Sequence, residues 1–266
     1  PEWFDLLLRP VMDKGYDFVT PYYLRHKYDG TITNSIVYPL TRALYGARVR
    51  QPIGGDFGFS GRLAKFYLEK DVWESDVARF GIDIWMTTSA IAEGFKVCQS
   101  FLGAKIHDAK DPGADLSAML YQVVSAVFDL METYPHVWKE VKESKPTELF
   151  GFSYDVGLEP VHVNLERMID KFMLGLKELG YIWETFTSSG ILYYLRDLKP
   201  RPWQEFRLPD EIWAEILYSF ALASHKKIFN REHLIKSLTP LYLGRVASFI
   251  AENMDSNAAQ VEEHIE

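Results

Sequence analysis

The chain has a single cysteine, Cys98, in 266 residues. One thiol cannot close an internal disulfide, and it excludes multi-cysteine zinc and iron–sulfur sites within one chain. Set in an apolar strand pattern, Cys98 reads as a small core residue, because free cysteines are usually buried. Long apolar runs are missing as well: none reaches the ~18 residues that a membrane span requires. No signal-peptide pattern opens the chain, so a reducing cytoplasm is the expected compartment. Positive charge is in short supply. A formal net charge of −8 argues against the broad basic face that nucleic acid or an anionic membrane demands, and it leaves room for a local cationic pocket. Gly-x-Ser-x-Gly elbows, His-Glu-x-x-His pairs, Walker loops and internal repeats do not occur in the sequence.

What is present is ordinary in bulk: 47% hydrophobic and 25% charged residues, enough to bury one large domain or two modest ones. Aromatics reach 15%, which suits cores and sugar-stacking surfaces alike. Residues 1–14 have helical periodicity, with Trp3, Leu6, Leu7 and Val11 on one face and Gly15 as the stop. Residues 16–23 read as a strand, 25–30 as a polar loop, and 35–44 as a helix that ends near Gly46. The stretch 51–60 holds Pro52, Gly54, Gly55 and Gly58 and reads as a loop whose backbone approaches something closely. Helical patterns follow at 63–69 and 84–93, the second closed by Gly94. A strand at 95–107 comes next, then a helix carrying Leu116, Met119, Leu120, Val123, Val127 and Leu130.

Beyond Tyr134 the character changes. Residues 139–148 are charged, and helical patterns run over 165–179, 209–224 and 231–252. Pro209, Asp210 and Glu211 make a helix start, with Leu208 as a staple. The polar tail after Met254 reads as frayed. These patterns predict an α/β region at 1–135 followed by a mostly α-helical region at 136–266. Because the chain opens on Pro1, already in a helical pattern, we expect it to be a fragment.

Four features carry candidate chemistry. His107 closes an apolar strand and enters a polar loop, where α/β folds place functional side chains; it reads either as a metal ligand or as a surface histidine. Asp83 precedes an apolar helix and reads either as an N-cap carboxylate or as a group at a pocket rim. Gly54 and Gly55, followed by Asp56, form a plain turn or a loop that admits a ligand against bare backbone. Tyr23, Arg25, Lys27, Thr31, Thr33 and Asn34 make a polar, cationic cluster, either a solvated loop or a site for a carboxylate or phosphate. His136 and His162 have no partnering ligands nearby in sequence, and His225 sits beside Lys226 and Lys227 at a helix end, where it suits the dipole; all three read as structural. Trp183, Trp203 and Trp213 read as helix-packing anchors.

Three of these stretches, in order, resemble a known family. They are Gln51-Pro52-Ile53-Gly54-Gly55-Asp56, Phe80-Gly81-Ile82-Asp83-Ile84-Trp85, and Gln99 through His107, joined by Leu116, Met119, Gln122 and Val123. Together they resemble the acceptor half of the glucosyl-3-phosphoglycerate and glucosylglycerate synthase group, retaining glycosyltransferases of the GT-A fold. The resemblance covers about half of the chain, residues 1–130. It implies a donor pocket lined by Gln51, Pro52, Gly54, Gly55 and Asp56, and an acceptor site around Tyr23, Arg25, Thr31, Thr33 and Asn34. It further implies that Asp83 faces the acceptor hydroxyl, one carbon shorter than the glutamate usual in the family, and that His107 is a ligand of a divalent Mg or Mn ion.

By the same resemblance the partners are a UDP- or GDP-hexose and a small polar acceptor, glycerate-like as the best single guess. Attack on the leaving-group face would retain the anomeric configuration, with the departing phosphate oxygen taking the proton. The Asp-x-Asp metal motif of the family's nucleotide-binding half does not precede the acceptor half here, so this piece alone is expected to bind nucleotide weakly and to turn over nothing. The helical region would brace the acceptor site or build a homodimer interface. The competing reading is a non-enzymatic helical interaction protein with a degenerate transferase half.

Overall fold

Helix α1 (Glu2–Lys14) forms where the sequence predicts it and stops where Gly15 adopts φ +70°, a left-handed conformation that costs glycine little. The chain is seen in a computed structural model that describes residues 2–74, 76–104, 116–152, 161 and 163–266. It is mixed α/β and mostly helical. Its described residues divide into two units, one within Pro1–His26, Gly30–Asp108 and Gln122–Glu159, the other within Lys27–Asp29, Ala109–Tyr121 and Pro160–Glu266.

In chain order the first unit begins with α1, strand β1 (Phe18–Leu24), a π-type turn (Thr33–Val37) and helix α2 (Tyr38–Tyr45), which ends at Gly46 with φ 65°. Strands β2 (Ala47–Arg48) and β3 (Gly58–Phe59), helices α3 (Gly61–Leu68) and α4 (Ile82–Ala92) and strand β4 (Val97–Ala104) follow. Helix α5 (Ser117–Thr133), which belongs to this unit from Gln122 on, and α6 (Pro135–Trp138) lead to strands β5 (Lys145–Pro146) and β6 (Leu149–Phe150). The main sheet runs β3-β1-β4-β6, with β3 antiparallel to β1 and the remaining pairs parallel; β2 and β5 form a separate parallel pair. Both β5 and β6 fall in or beside the charged stretch after Tyr134, where the sequence shows no strand pattern.

One face of the sheet is closed by α1. Leu7, Val19, Tyr23, Cys98 and Leu102 form its buried cluster, with Trp3, Leu6, Val11, Tyr16 and Phe150 packed around them. Trp3 Nε1 donates to the Leu102 carbonyl at 2.9 Å and Ser100 Oγ to that of Leu6 at 2.7 Å. Burial pushes the Cys98 thiol up to about 12, so it behaves as a core residue, as its setting predicts.

Asp17 knits three element starts together. Its carboxylate accepts from Ser60 Oγ (2.9 Å), Arg62 Nη2 (2.5 Å) and the Lys96 backbone N–H (3.1 Å). Burial alone would raise its pKa; these donors outweigh that and hold it below the usual carboxylate value.

The second unit is helical: α7 (Leu165–Trp183), α8 (Ser189–Asp197), α9 (Asp210–His225), α10 (Arg231–Ser237), α11 (Thr239–Glu252) and α12 (Ala258–Ile265). Helices α7 and α11 pack closely, a glycine of each lying against a side chain of the other. A Cβ on Gly175 would lie 2.2 Å from Pro240 Cβ, and one on Gly244 would lie 2.5 Å from Phe172 Cδ2. Trp183 and Trp213 are buried anchors, while Trp203 is half-buried. Arg245, 4% exposed, is neutralised by Asp210 (2.5 Å) and Glu252 (3.4 Å) and donates to the Leu208 carbonyl at 3.0 Å.

Two expectations are corrected here. The span 231–252 is two helices, because Pro240 has no N–H to donate and fits only the first turn of α11. The tail after Met254 is a capped helix: Asn257 and Gln260 form a capping box, and Val261 is 2% exposed.

Candidate functional site

Strands β1 and β4 run parallel and end side by side, Leu24 opposite Ala104. Ligands of open α/β sheets gather beyond such carboxyl ends. The register slips between Tyr22, opposite Phe101, and Tyr23, opposite Gly103, and Gly103 takes φ 79°. The extra residue of this bulge, Leu102, lies on β4. Tyr23, four residues along β1 from Val19, shares the α1 face by plain strand alternation; it is 2% exposed, with its ring 5.4 Å from that of Trp3.

The loop 51–56 is docked against this strand end. Gln51 takes the place of a neighbouring strand: its Nε2 donates to the Tyr23 carbonyl at 2.8 Å, and its Oε1 accepts from the Tyr23 N–H at 3.3 Å. The same Oε1 accepts from Arg25 Nε at 3.2 Å. Thr87 Oγ1, on α4, donates to the Pro52 carbonyl at 2.7 Å. Gly54 lies so close to Pro21 that a Cβ would fall 2.1 Å from the proline Cγ. The glycine is required there by the close approach, as its place in the loop suggests. Gly55, exposed and at φ 87°, turns the chain to Asp56.

The Tyr23 hydroxyl donates to Asp56 Oδ2. Burial is the largest reason that this phenol holds its proton far above the ordinary range; the hydrogen bond to Asp56 and the charges of Asp56 and Asp83 add to it, against the nearby Arg25. Arg25 lies over the Tyr23 ring, 5.6 Å from its centroid. Five predicted residues, Tyr23, Arg25, Gln51, Asp56 and Asp83, thus form one electrostatically connected group. Asp83 does not cap its helix: Gly81 occupies that position and Asp83 stands half-buried in the first turn of α4, where a carboxylate suits the helix dipole.

The remaining predicted acceptor residues line the approach to α2. Gly30, at φ 70°, sits against Arg25, with 3.7 Å between its would-be Cβ and Arg25 Cδ. Thr31 and Thr33 are buried, and the Thr31 carbonyl accepts from Ser35 Oγ at 2.5 Å. Asn34 Oδ1 accepts from Arg50 Nη1 at 3.0 Å. Lys27 is engaged elsewhere: in the second unit its Nζ donates to the carbonyls of Asn253 (2.9 Å), Met254 (2.8 Å) and Ser256 (2.7 Å) beyond α11. His107 and His162 lie outside the described residues. His136 is the second residue of α6, and His225 is the last of α9.

Sequence reasoning missed Arg50 and Thr87 and gave Gln99 no role. Arg50 is 6% exposed, packs over the Tyr38 ring at 5.2 Å, and donates from its backbone N–H to Gln99 Oε1 at 2.7 Å. The available signal was an amide side chain in an otherwise apolar strand, since a buried polar group must find partners. Among the described residues no group of three or more His, Cys, Asp or Glu side chains is placed to hold a metal. No protein-family model matches the chain, and a search of curated proteins found no similar sequence.

Proposed function

We propose that the chain is the acceptor-side part of a retaining, metal-dependent glycosyltransferase that moves a hexose from a nucleoside diphosphate to a small polar acceptor. The observation that carries this reading is the Arg25–Gln51–Tyr23–Asp56 chain with Asp83 beside it, at the carboxyl ends of two parallel strands. A guanidinium suits an acceptor carboxylate or phosphate, and carboxylates suit sugar hydroxyls. Exposed glycine backbone at 55 lets a pyranose approach without Cβ obstruction.

In this reading Arg25 holds the acceptor anion, Asp56 orients the donor sugar and Asp83 orients the attacking hydroxyl. A divalent Mg or Mn ion would neutralise charge on the leaving diphosphate. Its ligand in this proposal, His107, lies outside the described residues.

The second reading, a helical interaction protein, draws on a separate observation: Tyr181 and Tyr193 are 67% and 77% exposed in the second unit. Both readings meet the same experiment. The full-length protein is incubated with UDP-glucose or GDP-mannose and glycerate or 3-phosphoglycerate, and the anomeric protons of the product are followed by NMR. The proposal expects transfer with retained configuration, and a fall in kcat of about 10²-fold in Asp83→Asn, the usual scale for a misplaced reactant. No transfer from any of these pairs by folded wild type would favour the interaction protein.

A further inference from the structure

Helices α2, α4 and α5 of the first unit enclose a small cavity whose wall is not purely apolar. Thr41 and Tyr45 reach it from α2, Ile84 and Thr88 from α4, and Val127 from α5. Residues four apart share a helix face, so α2 and α4 each present a matched pair to the same space. The wall lies deep in the fold: Tyr45 is 8% exposed, Thr41 2% and Thr88 1%. Among the described residues, the Tyr45 hydroxyl and Thr88 Oγ1 are buried without a hydrogen-bond partner.

Buried hydroxyls are nearly always paired, because an orphan carries the full desolvation cost of its donor and acceptor. Two of them on the wall of one cavity point to a shared partner. The cavity measures about 10 Å³, close to what a single water needs and too little for a larger molecule. A wholly apolar cavity stays dry, whereas three hydroxyl-bearing residues supply the polar partners that hold a water. Fixing one water costs less than leaving two hydroxyls unpaired. We propose that one buried water sits between α2 and α4, bonded to the Tyr45 hydroxyl and to Thr88 Oγ1. This goes beyond the glycosyltransferase reading and does not depend on it. Thr87, the preceding residue on α4, holds the Pro52 carbonyl, so one turn of α4 is fixed to loop 51–56 and, through the water, to α2.

The test turns on a sign. Deleting a buried hydroxyl that has no partner raises stability, while deleting one that holds a bridging water lowers it. Urea unfolding of the whole chain is measured for wild type, Tyr45→Phe, Thr88→Val and the double variant. Each single variant is expected to lower the folding equilibrium constant about fivefold, the scale of one hydrogen bond. The double variant is expected to lose clearly less than the product of the two, because both changes act on the same water.

A single variant as stable as wild type, or more so, overturns the proposal, and so does a double variant in which the two losses multiply. Should a variant fail to fold, the wild type decides alone. A crystal structure is then expected to show an ordered water within about 3.2 Å of both hydroxyl oxygens. A cavity without solvent density, or with density in reach of only one hydroxyl, overturns the proposal.

Discussion

Single residues in this chain are informative where chemistry forces an unusual environment. Asp17 is the clearest example. It is 6% exposed and its carboxylate receives a hydroxyl, a guanidinium and a backbone N–H. Its Arg62 partner is 68% exposed, so solvent screens that charge and the other two donors count for more. Asp17→Asn is expected to cost about 2 kcal/mol at neutral pH, the scale of hydrogen bonds to a charged group. The folded pKa lies below the unfolded 3.8. The stabilisation is therefore complete above that value and is lost as pH falls through the folded pKa. Urea melts of wild type and Asp17→Asn should converge as pH drops below about 4; a gap that stays constant would contradict this account.

The candidate site was legible at this scale in part. Tyr23, Arg25, Gln51, Asp56 and Asp83 are polar residues set beside strand ends and glycines, and the structure joins them through hydrogen bonds and charge. Arg50 and Thr87 were not legible, because each acts through a partner distant in sequence, Gln99 or Pro52. Lys27 looked like part of the acceptor cluster but is bound to three carbonyls more than 200 residues away in sequence. Sequence proximity to Arg25 says nothing about that.

Elements were readable where periodicity, caps and stops agree. Helix α1 has an apolar stripe and a glycine stop, and α9 begins on the Pro209-Asp210 signature. Strands β5 and β6 escaped because each is two residues long and exposed or half-buried. No alternation can mark so short a strand, and backbone pairing such as Gln99 N–H to the Glu148 carbonyl at 2.8 Å is invisible to side-chain pattern. Helix α12 escaped because only Val261 among its residues is buried, so it rests on its cap and not on an apolar stripe.

Packing between helices gives an element-scale prediction. Gly175→Ala places a methyl 2.2 Å from the rigid ring of Pro240; overpacking of about 1–3 kcal/mol outweighs up to about 1 kcal/mol of gained helix propensity. On the same helix, the nearest atom to a Cβ at Gly180 is Leu176 Cδ1 at 4.0 Å. Gly180→Ala should therefore stabilise by about 0.5–1 kcal/mol. Chemical denaturation midpoints that move the same way for both variants would show that α7 and α11 do not meet as described.

At the scale of the molecule, a mostly helical chain with a small mixed sheet concentrates its polar network where β1 and β4 end together. The glycine wedged on Pro21 and the buried Gln51 set loop 51–56 against that strand end. No helix among the described residues is long and apolar enough to cross a membrane.

The most direct measurement is calorimetric titration of the full-length protein with UDP-glucose, GDP-mannose and GDP-glucose, each with and without Mg²⁺ or Mn²⁺. The account predicts saturable, metal-dependent binding of one of them, weakened by His107→Ala and by Asp56→Asn. A folded protein that binds none of the three under either condition would contradict it.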